Sequence, residues 1–188
     1  MMKALSATMG LDLDLQNAEF ASILPGLPAK YEMGIANISI NKEREENFNM
    51  LEYFTVGSSW AVQAGNPEDF DPSDFCGKSI GVQTGTVQDE ELAEAAKECT
   101  DAPDIQRYSE HTAATTALVG GKIVAMYSDS SVTDYAISKT SGQLEQVGEV
   151  TGQTPMGIVT AKDDDEMAKA TQAALQSLMD DGTLAKIF

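Results

Sequence analysis

Three sites in this sequence carry chemical groups that can bind a small charged molecule. Arg44 has a guanidinium, which pairs with a carboxylate through two parallel hydrogen bonds. Thr84-Gly85-Thr86 follows an apolar strand pattern and opens a helical one, where free backbone N–H groups bind anions. Asp129 follows a second apolar strand pattern, at the end where α/β sheets place ligand contacts, and its carboxylate can hold an ammonium. Together these groups describe a receptor for a zwitterion.

Each group also has a purely structural interpretation, and the residues alone leave both interpretations open. The glycine turn can be an ordinary helix N-cap, and Asp129 can cap the helix that follows it. Arg44 can form a surface salt bridge with Glu45 or Glu46. Phe20 can offer an apolar plate to a ligand side chain or belong to the core. The combination favours zwitterion binding more than any single residue does.

Alternating strands and helices position these residues. Apolar runs predict strands at 32–40, 60–63, 79–83, 123–127, 144–147 and 155–160. Helical periodicity and capping signals predict helices that start near 20 and cover 87–98, 112–118, 131–138 and 164–179. Strands that alternate with helices predict an α/β fold with a mixed, mainly parallel sheet.

The chain is expected to pass twice between two lobes. Its 188 residues allow one large domain or two small lobes. An acidic, proline-containing segment at 65–74 follows the strand at 60–63, and a second crossing is expected near 154–156. We therefore predict a discontinuous first lobe, residues 1–62 and 156–188, an inserted second lobe, residues 63–155, and a two-strand hinge.

The composition argues against several partners and chemistries. The chain has 30 acidic and 12 basic side chains, a net charge of −18, so binding of nucleic acid, which needs basic patches, is not expected. No apolar run approaches the ~18–20 residues that cross a bilayer, so no membrane insertion is expected. His111 and two distant cysteines do not make a zinc site, and no nucleophilic triad is evident. We predict no cofactor, no metal and no catalytic residue.

Two alternatives are open for the cysteines. Cys76 precedes a predicted strand and Cys99 ends a predicted helix, and a helix that packs back on its strand brings such ends together. A disulfide is therefore reasonable, and closing a loop of this size would contribute roughly 3 kcal/mol. Two buried thiols in a reducing compartment are the other interpretation.

Six segments, in chain order, resemble the polar-amino-acid-binding proteins of solute-binding family 3, which serve ABC importers. The segments are GLDLDL at 10–15, FASILPGL at 20–27, ISINKER at 38–44, GKSIGVQTGT at 77–86, GKIVAMYSD at 121–129 and DDGTLAKI at 180–187. The resemblance implies a two-lobed type II periplasmic-binding fold, a polar amino acid ligand and an ABC permease partner. It also implies an extracytoplasmic location. The signal segment would lie outside this chain, and a lipid anchor on that N-terminal part is compatible with the family.

The resemblance also implies roles for individual residues. Arg44 matches the arginine that clamps the ligand α-carboxylate, and Gly85 and Thr86 match the helix N-terminus that binds the same carboxylate. Asp129 matches the aspartate that holds the α-ammonium. Phe20 matches an aromatic that stacks on the ligand side chain.

Two further pairs of residues take their expected roles from the resemblance. Asn37 and Ser39 match positions whose backbone or side chains contact the ligand. Cys76 and Cys99 look most like the cysteine pair of actinobacterial members, which would form a disulfide outside the membrane.

The first lobe departs from the family pattern. Only residues 1–9 precede the GLDLDL segment, and the helix and strand that the family has after that segment are missing between Leu15 and Gln16. We therefore expect an incomplete first lobe with an exposed sheet edge. Weakened ligand binding, or oligomerisation through that edge, would follow.

The main functional prediction is an extracytoplasmic solute-binding protein that captures a polar amino acid for an ABC importer. Two alternatives share the fold: an enzyme similar to cyclohexadienyl dehydratases, and the ligand-binding sensor domain of a receptor. Arg44 and Asp129 form an amino-acid clamp, which favours binding without chemistry, so no enzymatic activity is predicted.

Overall fold

The computed structural model describes residues 1–187, which form eight helices and six strands. The helices are α1 Met2–Met9, α2 Phe20–Gly26, α3 Lys42–Asn47, α4 Val87–Ala95, α5 His111–Val119, α6 Ser130–Lys139, α7 Asp165–Asp180 and α8 Thr183–Ile187. The strands are β1 Met33–Ser39, β2 Phe48–Gln63, β3 Ser79–Gln83, β4 Asp104–Tyr108, β5 Ala125–Asp129 and β6 Leu144–Ala161. A short 3-10 turn, Ala96–Glu98, follows α4.

The strands follow the order β1-β6-β2-β5-β3-β4. β3 is parallel to both β4 and β5, whereas β2 is antiparallel to β5 and β1 is antiparallel to β6. The α/β fold with a mixed sheet that the sequence predicts is thereby confirmed.

The chain divides into two compact units. Unit 1 contains residues 1–18, 22–54 and the chain from Pro155 onwards, and unit 2 contains residues 19–21 and 55–154. The long strands β2 and β6 each run through both units, so the chain passes between the units within these strands. The lobe boundaries predicted from the sequence, at 62/63 and 155/156, stay a prediction.

Unit 2 is built around two apolar clusters that use alternate residues of β2. Trp60 and Val62 belong to one cluster, and Ala61 belongs to the other, because successive strand residues point to opposite faces of a sheet. Leu92 of α4 packs in the first cluster, and α5 and α6 contribute to the second. Helix α4 therefore covers the face of β2 that carries Trp60.

A disulfide joins Cys76 to Cys99 in unit 2, with a Cα–Cα distance of 5.5 Å. It links the segment before β3 to the residue after the 3-10 turn that follows α4. The disulfide therefore joins the two ends of the segment that contains β3 and α4. The implied pairing is confirmed, and the alternative of two free thiols is wrong for this structure.

The start of the chain differs from the sequence prediction, which lacks α1. This helix buries Leu5 and ends at Gly10, whose φ of +70° lies in the left-handed region that favours glycine. In unit 1, α1 packs on α7. The GLDLDL segment therefore lies between α1 and α2, and residues 11–15 form no regular structure, with Leu15 65% exposed.

Candidate functional site

The N-terminus of α4 is organised by Thr86. Its hydroxyl donates to the carbonyl of Gln83 at 2.8 Å and accepts from the backbone N–H of Asp89 at 3.2 Å, which makes Thr86 the N-cap. Gly85 precedes the cap with a φ of +78°, a conformation that other residues adopt at a cost. The turn is thus fixed at both ends, and the N-cap interpretation holds for Thr86.

A carboxylate already lies at this helix terminus. Asp89 Oδ2 accepts from the N–H of Gly85 at 3.2 Å, and Oδ1 accepts from Nε of Arg107 at 2.8 Å. The positive end of the helix dipole and Arg107 therefore both balance the charge of Asp89. No sequence pattern signals this ion pair, because Arg107 lies on β4, which is absent from the strands predicted from the sequence.

Asp129 lies at the carboxyl end of β5 and is only 6% exposed. It occupies the N-cap position of α6, but its side chain makes no capping hydrogen bond there. Instead, Oδ1 accepts a hydrogen bond of 2.8 Å from Nε2 of Gln88 on α4. Asp129 therefore takes the N-cap position of α6 as one interpretation predicts, but without a side-chain capping bond, and its carboxylate contacts the second residue of α4.

Gln88 connects Asp129 to a polar network that sequence analysis missed. The same Nε2 donates to Oγ of Ser58 at 2.9 Å, and Ser58 lies directly opposite Asp129 in the β2–β5 register. Tyr127, two residues before Asp129, bonds with Ser58 and donates its hydroxyl to Glu91 at 3.0 Å. Gln88 and Glu91 lie three residues apart, so one face of α4 makes both contacts.

The aromatic residue of this network is stacked and partly desolvated. The rings of Tyr127 and Trp60 are 4.3 Å apart at an angle of 19°. Burial is the main cause that raises the pKa of Tyr127 above its usual 10.0, and the nearby Glu91 carboxylate raises it further. Tyr127 therefore remains a neutral hydrogen-bond donor at physiological pH.

Phe20 begins α2 and belongs to unit 2 together with the neighbouring residue Ala21. A Cβ placed on Gly85 would lie 3.5 Å from the Cβ of Ala21, so the start of α2 lies beside the glycine turn. Unit 2 thus contains four of the predicted ligand residues, namely Phe20, Gly85, Thr86 and Asp129.

Unit 1 contains the other three predicted ligand residues. Arg44 lies in α3, and its Nη1 donates to the carbonyl of Ser39 at 2.9 Å. Asn37 has a φ of +50° at an irregularity in β1, and its Oδ1 accepts from the hydroxyl of Tyr53 at 3.2 Å. Asn41 caps α3 by accepting from the N–H of Arg44 at 2.9 Å. The structure therefore brings Arg44 and Ser39 into contact.

Neither a metal centre nor a membrane span is found in the described part of the chain. Within residues 1–187, no group of three His, Cys, Asp or Glu side chains is arranged to hold a metal ion. In the same residues, no helix is long and apolar enough to cross a bilayer.

The whole chain, residues 1–188, matches the family of bacterial extracellular solute-binding proteins, family 3. The chain belongs to this family. The resemblance seen in the sequence is thereby confirmed. This family-3 chain is 30% identical to the arginine-binding protein ArgT of Corynebacterium glutamicum over 193 aligned residues, which include all of this chain and 63% of ArgT. It is 25% identical to the L-cystine-binding protein TcyJ of Escherichia coli, over 96% of this chain and 67% of TcyJ.

Solved structures of amino-acid-binding proteins share the fold. An ancestral arginine-binding protein bound to arginine superposes with a TM-score of 0.90 and 26% identity, over 99% of this chain and 83% of that one. The arginine-, lysine-, histidine-binding protein ArtJ from Geobacillus stearothermophilus has a TM-score of 0.86 and 25% identity, over 99% and 80% of the two chains. These relatives are ligand-binding proteins, and the family is extracellular. The roles of the individual site residues stay predictions.

Proposed function

We propose that this protein binds a polar amino acid outside the cytoplasmic membrane and delivers it to the permease of an ABC importer, without chemical conversion. One observation carries the proposal. The Asp129 carboxylate is buried at the carboxyl end of β5, makes no side-chain capping hydrogen bond to α6 and contacts Gln88 of α4. A buried carboxylate of this kind supports the proposal, because it is an acceptor that suits an ammonium.

The proposed contacts follow the two charges of the ligand. Asp129 binds the α-ammonium, and the N-terminus of α4 around Gly85 and Thr86 binds the α-carboxylate. Arg44 is proposed to bind the ligand carboxylate, because a guanidinium and a carboxylate form strong charge-assisted hydrogen bonds, and Asn37 and Ser39 are proposed as further ligand contacts. Each contact uses the charge that a free amino acid carries at neutral pH.

Arginine is the first ligand to test. ArgT is an arginine-binding protein, and an ancestral relative was solved with arginine bound. Phe20 supports this choice, because an aromatic ring attracts a guanidinium that lies over its face. Glutamine is the second candidate, because the same ancestral protein was also solved with glutamine.

A thermal-shift screen of the natural amino acids, followed by calorimetry of the best ligand, tests the proposal. We expect Asp129→Asn to weaken binding by about tenfold or more, because a hydrogen bond to a charged partner contributes roughly 1.5–3 kcal/mol. Asp134→Asn, which changes an exposed aspartate on α6, is the matched control and should bind normally. Equal affinities for the Asp129→Asn variant and the parent would refute the assignment of Asp129.

A further inference from the structure

We propose that Gln88 is a positioning residue for the Asp129 carboxylate and thereby sets the preference for ligands with an α-ammonium. The inference rests on the proposed function, in which Asp129 binds that ammonium. Gln88 itself need not touch the ligand. Its role is to hold the orientation of the group that does.

The contacts of Gln88 fix its amide tightly. The side chain is 3% exposed, and a buried amide that lacks hydrogen bonds is costly, so its partners determine its position. Nε2 donates to Asp129 Oδ1 at 2.8 Å and to Ser58 Oγ at 2.9 Å. Because Ser58 and Asp129 lie opposite each other on β2 and β5, the amide bridges two paired strands.

A neutral amide is a suitable donor for orienting the Asp129 carboxylate. An amide N–H can hold one carboxylate oxygen without neutralising the carboxylate, so the negative charge that an ammonium needs is kept. A lysine or arginine at position 88 would instead compete with the ligand as a second cation. Gln88 therefore restricts the rotation of the Asp129 carboxylate and leaves its negative charge available to the ligand ammonium.

Gln88 also links the two halves of the proposed site. It is the second residue of α4, two positions after the N-cap Thr86. The same helical turn therefore carries the N–H groups proposed for the ligand carboxylate and the amide that holds Asp129. The distance between the two charge-binding groups is set by rigid helix geometry, which suits recognition of an α-amino acid.

If the Gln88 amide merely occupied the ligand's place on Asp129, the opposite effect on binding would be expected. In that role Gln88 would occupy Asp129 only until the ligand arrives, and removing the amide would strengthen binding. The bridge to Ser58 favours positioning, because the amide keeps a second anchor that the ligand does not replace.

The test compares Gln88→Met with the parent by competition calorimetry. Methionine has a similar length and no hydrogen-bond donor. The probes are L-arginine with its desamino analogue δ-guanidinovalerate, and L-glutamine with its desamino analogue glutaramate. We expect the amino acid that binds the parent to bind Gln88→Met about tenfold more weakly, because a poorly oriented Asp129 carboxylate loses one charge-assisted hydrogen bond to the α-ammonium. The desamino analogue has no ammonium, so its affinity should change little. The preference for the α-ammonium thus falls by the same factor.

Two further variants control for general damage. Gln176→Met on α7 removes a similar bond, from Nε2 to Asp180 at 2.8 Å, at an exposed site and should leave binding unchanged. Ser58→Ala removes the second anchor of the amide and should weaken amino-acid binding in the same direction by a smaller factor. This variant also decides the question if Gln88→Met fails to fold.

The outcomes separate this inference from the proposed function. If Asp129→Asn weakens binding but Gln88→Met leaves it unchanged, strengthens it, or weakens amino acid and analogue equally, the role of Gln88 is refuted and the proposed function stands. If the parent binds no amino acid, both are wrong.

Discussion

His111 offers a prediction about stability that depends on pH. It is the only histidine of the chain and begins α5. Its Nδ1 is buried without a hydrogen-bond partner, and burial lowers the pKa of His111 from 6.5 to about 4. The change to test is His111→Phe, which keeps a planar ring and removes the titrating group.

The sign follows from the direction in which the pKa moves. Between about pH 6.5 and about pH 4 the unfolded chain binds a proton at His111 that the folded chain does not, so the free energy of unfolding rises with pH. The stability is therefore present above the unfolded pKa and is lost as the pH falls toward the folded pKa. Each pKa unit of difference between the two states corresponds to about 1.4 kcal/mol. The shift from 6.5 to about 4 therefore changes the free energy of unfolding by about 3 kcal/mol in total.

Urea denaturation at two pH values measures the effect. Trp60, the only tryptophan, is 8% exposed and stacked on Tyr127, so its fluorescence reports unfolding. Between about pH 7.5 and about pH 5, the parent should lose about 2 kcal/mol more stability than His111→Phe. Protonation of the carboxylates contributes to both chains and cancels in the difference.

A second variant guards against repacking around the phenylalanine. His111→Gln also lacks a group that titrates in this range, so it should show the same reduced dependence on pH. If both variants lost as much stability as the parent between the two pH values, burial of His111 would not be the cause and the reasoning would be refuted.

Two further predictions concern the stability of unit 2. Replacing Cys76 and Cys99 together by serine should lower the free energy of unfolding by about 3 kcal/mol in urea, because the bond joins residues 23 positions apart; an unchanged midpoint would contradict this. Gly57→Ala should lower the free energy of unfolding by about 1–3 kcal/mol, because its Cβ would collide with Val150 on β6 and lie 2.8 Å from two carbonyl oxygens. Thermal denaturation measures this change, and adding Val150→Ala should restore only part of it, because the backbone contacts remain.

Much of unit 2 follows from local sequence patterns. The strand predicted at 79–83 is β3, and the helices predicted at 87–98 and 131–138 correspond to α4 and α6 within a few residues. Short apolar runs, glycine turns and acidic residues in the first turn of α4 mark these elements clearly. The local pattern alone is therefore enough to place Thr86 at a helix N-terminus.

The sequence patterns do not predict α1, the short helices α3 and α8, or β4. For β4 and α1 the reason is a weak local pattern. β4 lies at the end of the strand order, and its residues are exposed or half-buried, so it lacks the apolar run of a buried strand. Helix α1 has no side chain that caps its N-terminus and no acidic residue in its first turn. Such elements owe their formation to tertiary packing, which a single sequence does not display.

The polar contacts of the candidate site escape prediction for a different reason. Gln88 and Asp129 are 41 residues apart, and Asp89 and Arg107 are 18 residues apart. Neither pair leaves a periodic pattern, since each contact exists only once strands and helices are assembled. In the sequence, Gln88 is consequently indistinguishable from any polar residue in the first turn of a helix.

The passage of the chain through β2 and β6 has a consequence for the order of folding. Unit 1 joins distant parts of the chain, because Met33 of β1 pairs with Thr160 of β6 and α1 packs on α7. Unit 2 lies mostly within one continuous stretch and includes its own disulfide. During synthesis, unit 2 can therefore form while the early segments of unit 1 still wait for their partners. Contacts this far apart in sequence also form slowly, so unit 1 is expected to limit the rate at which the whole chain folds.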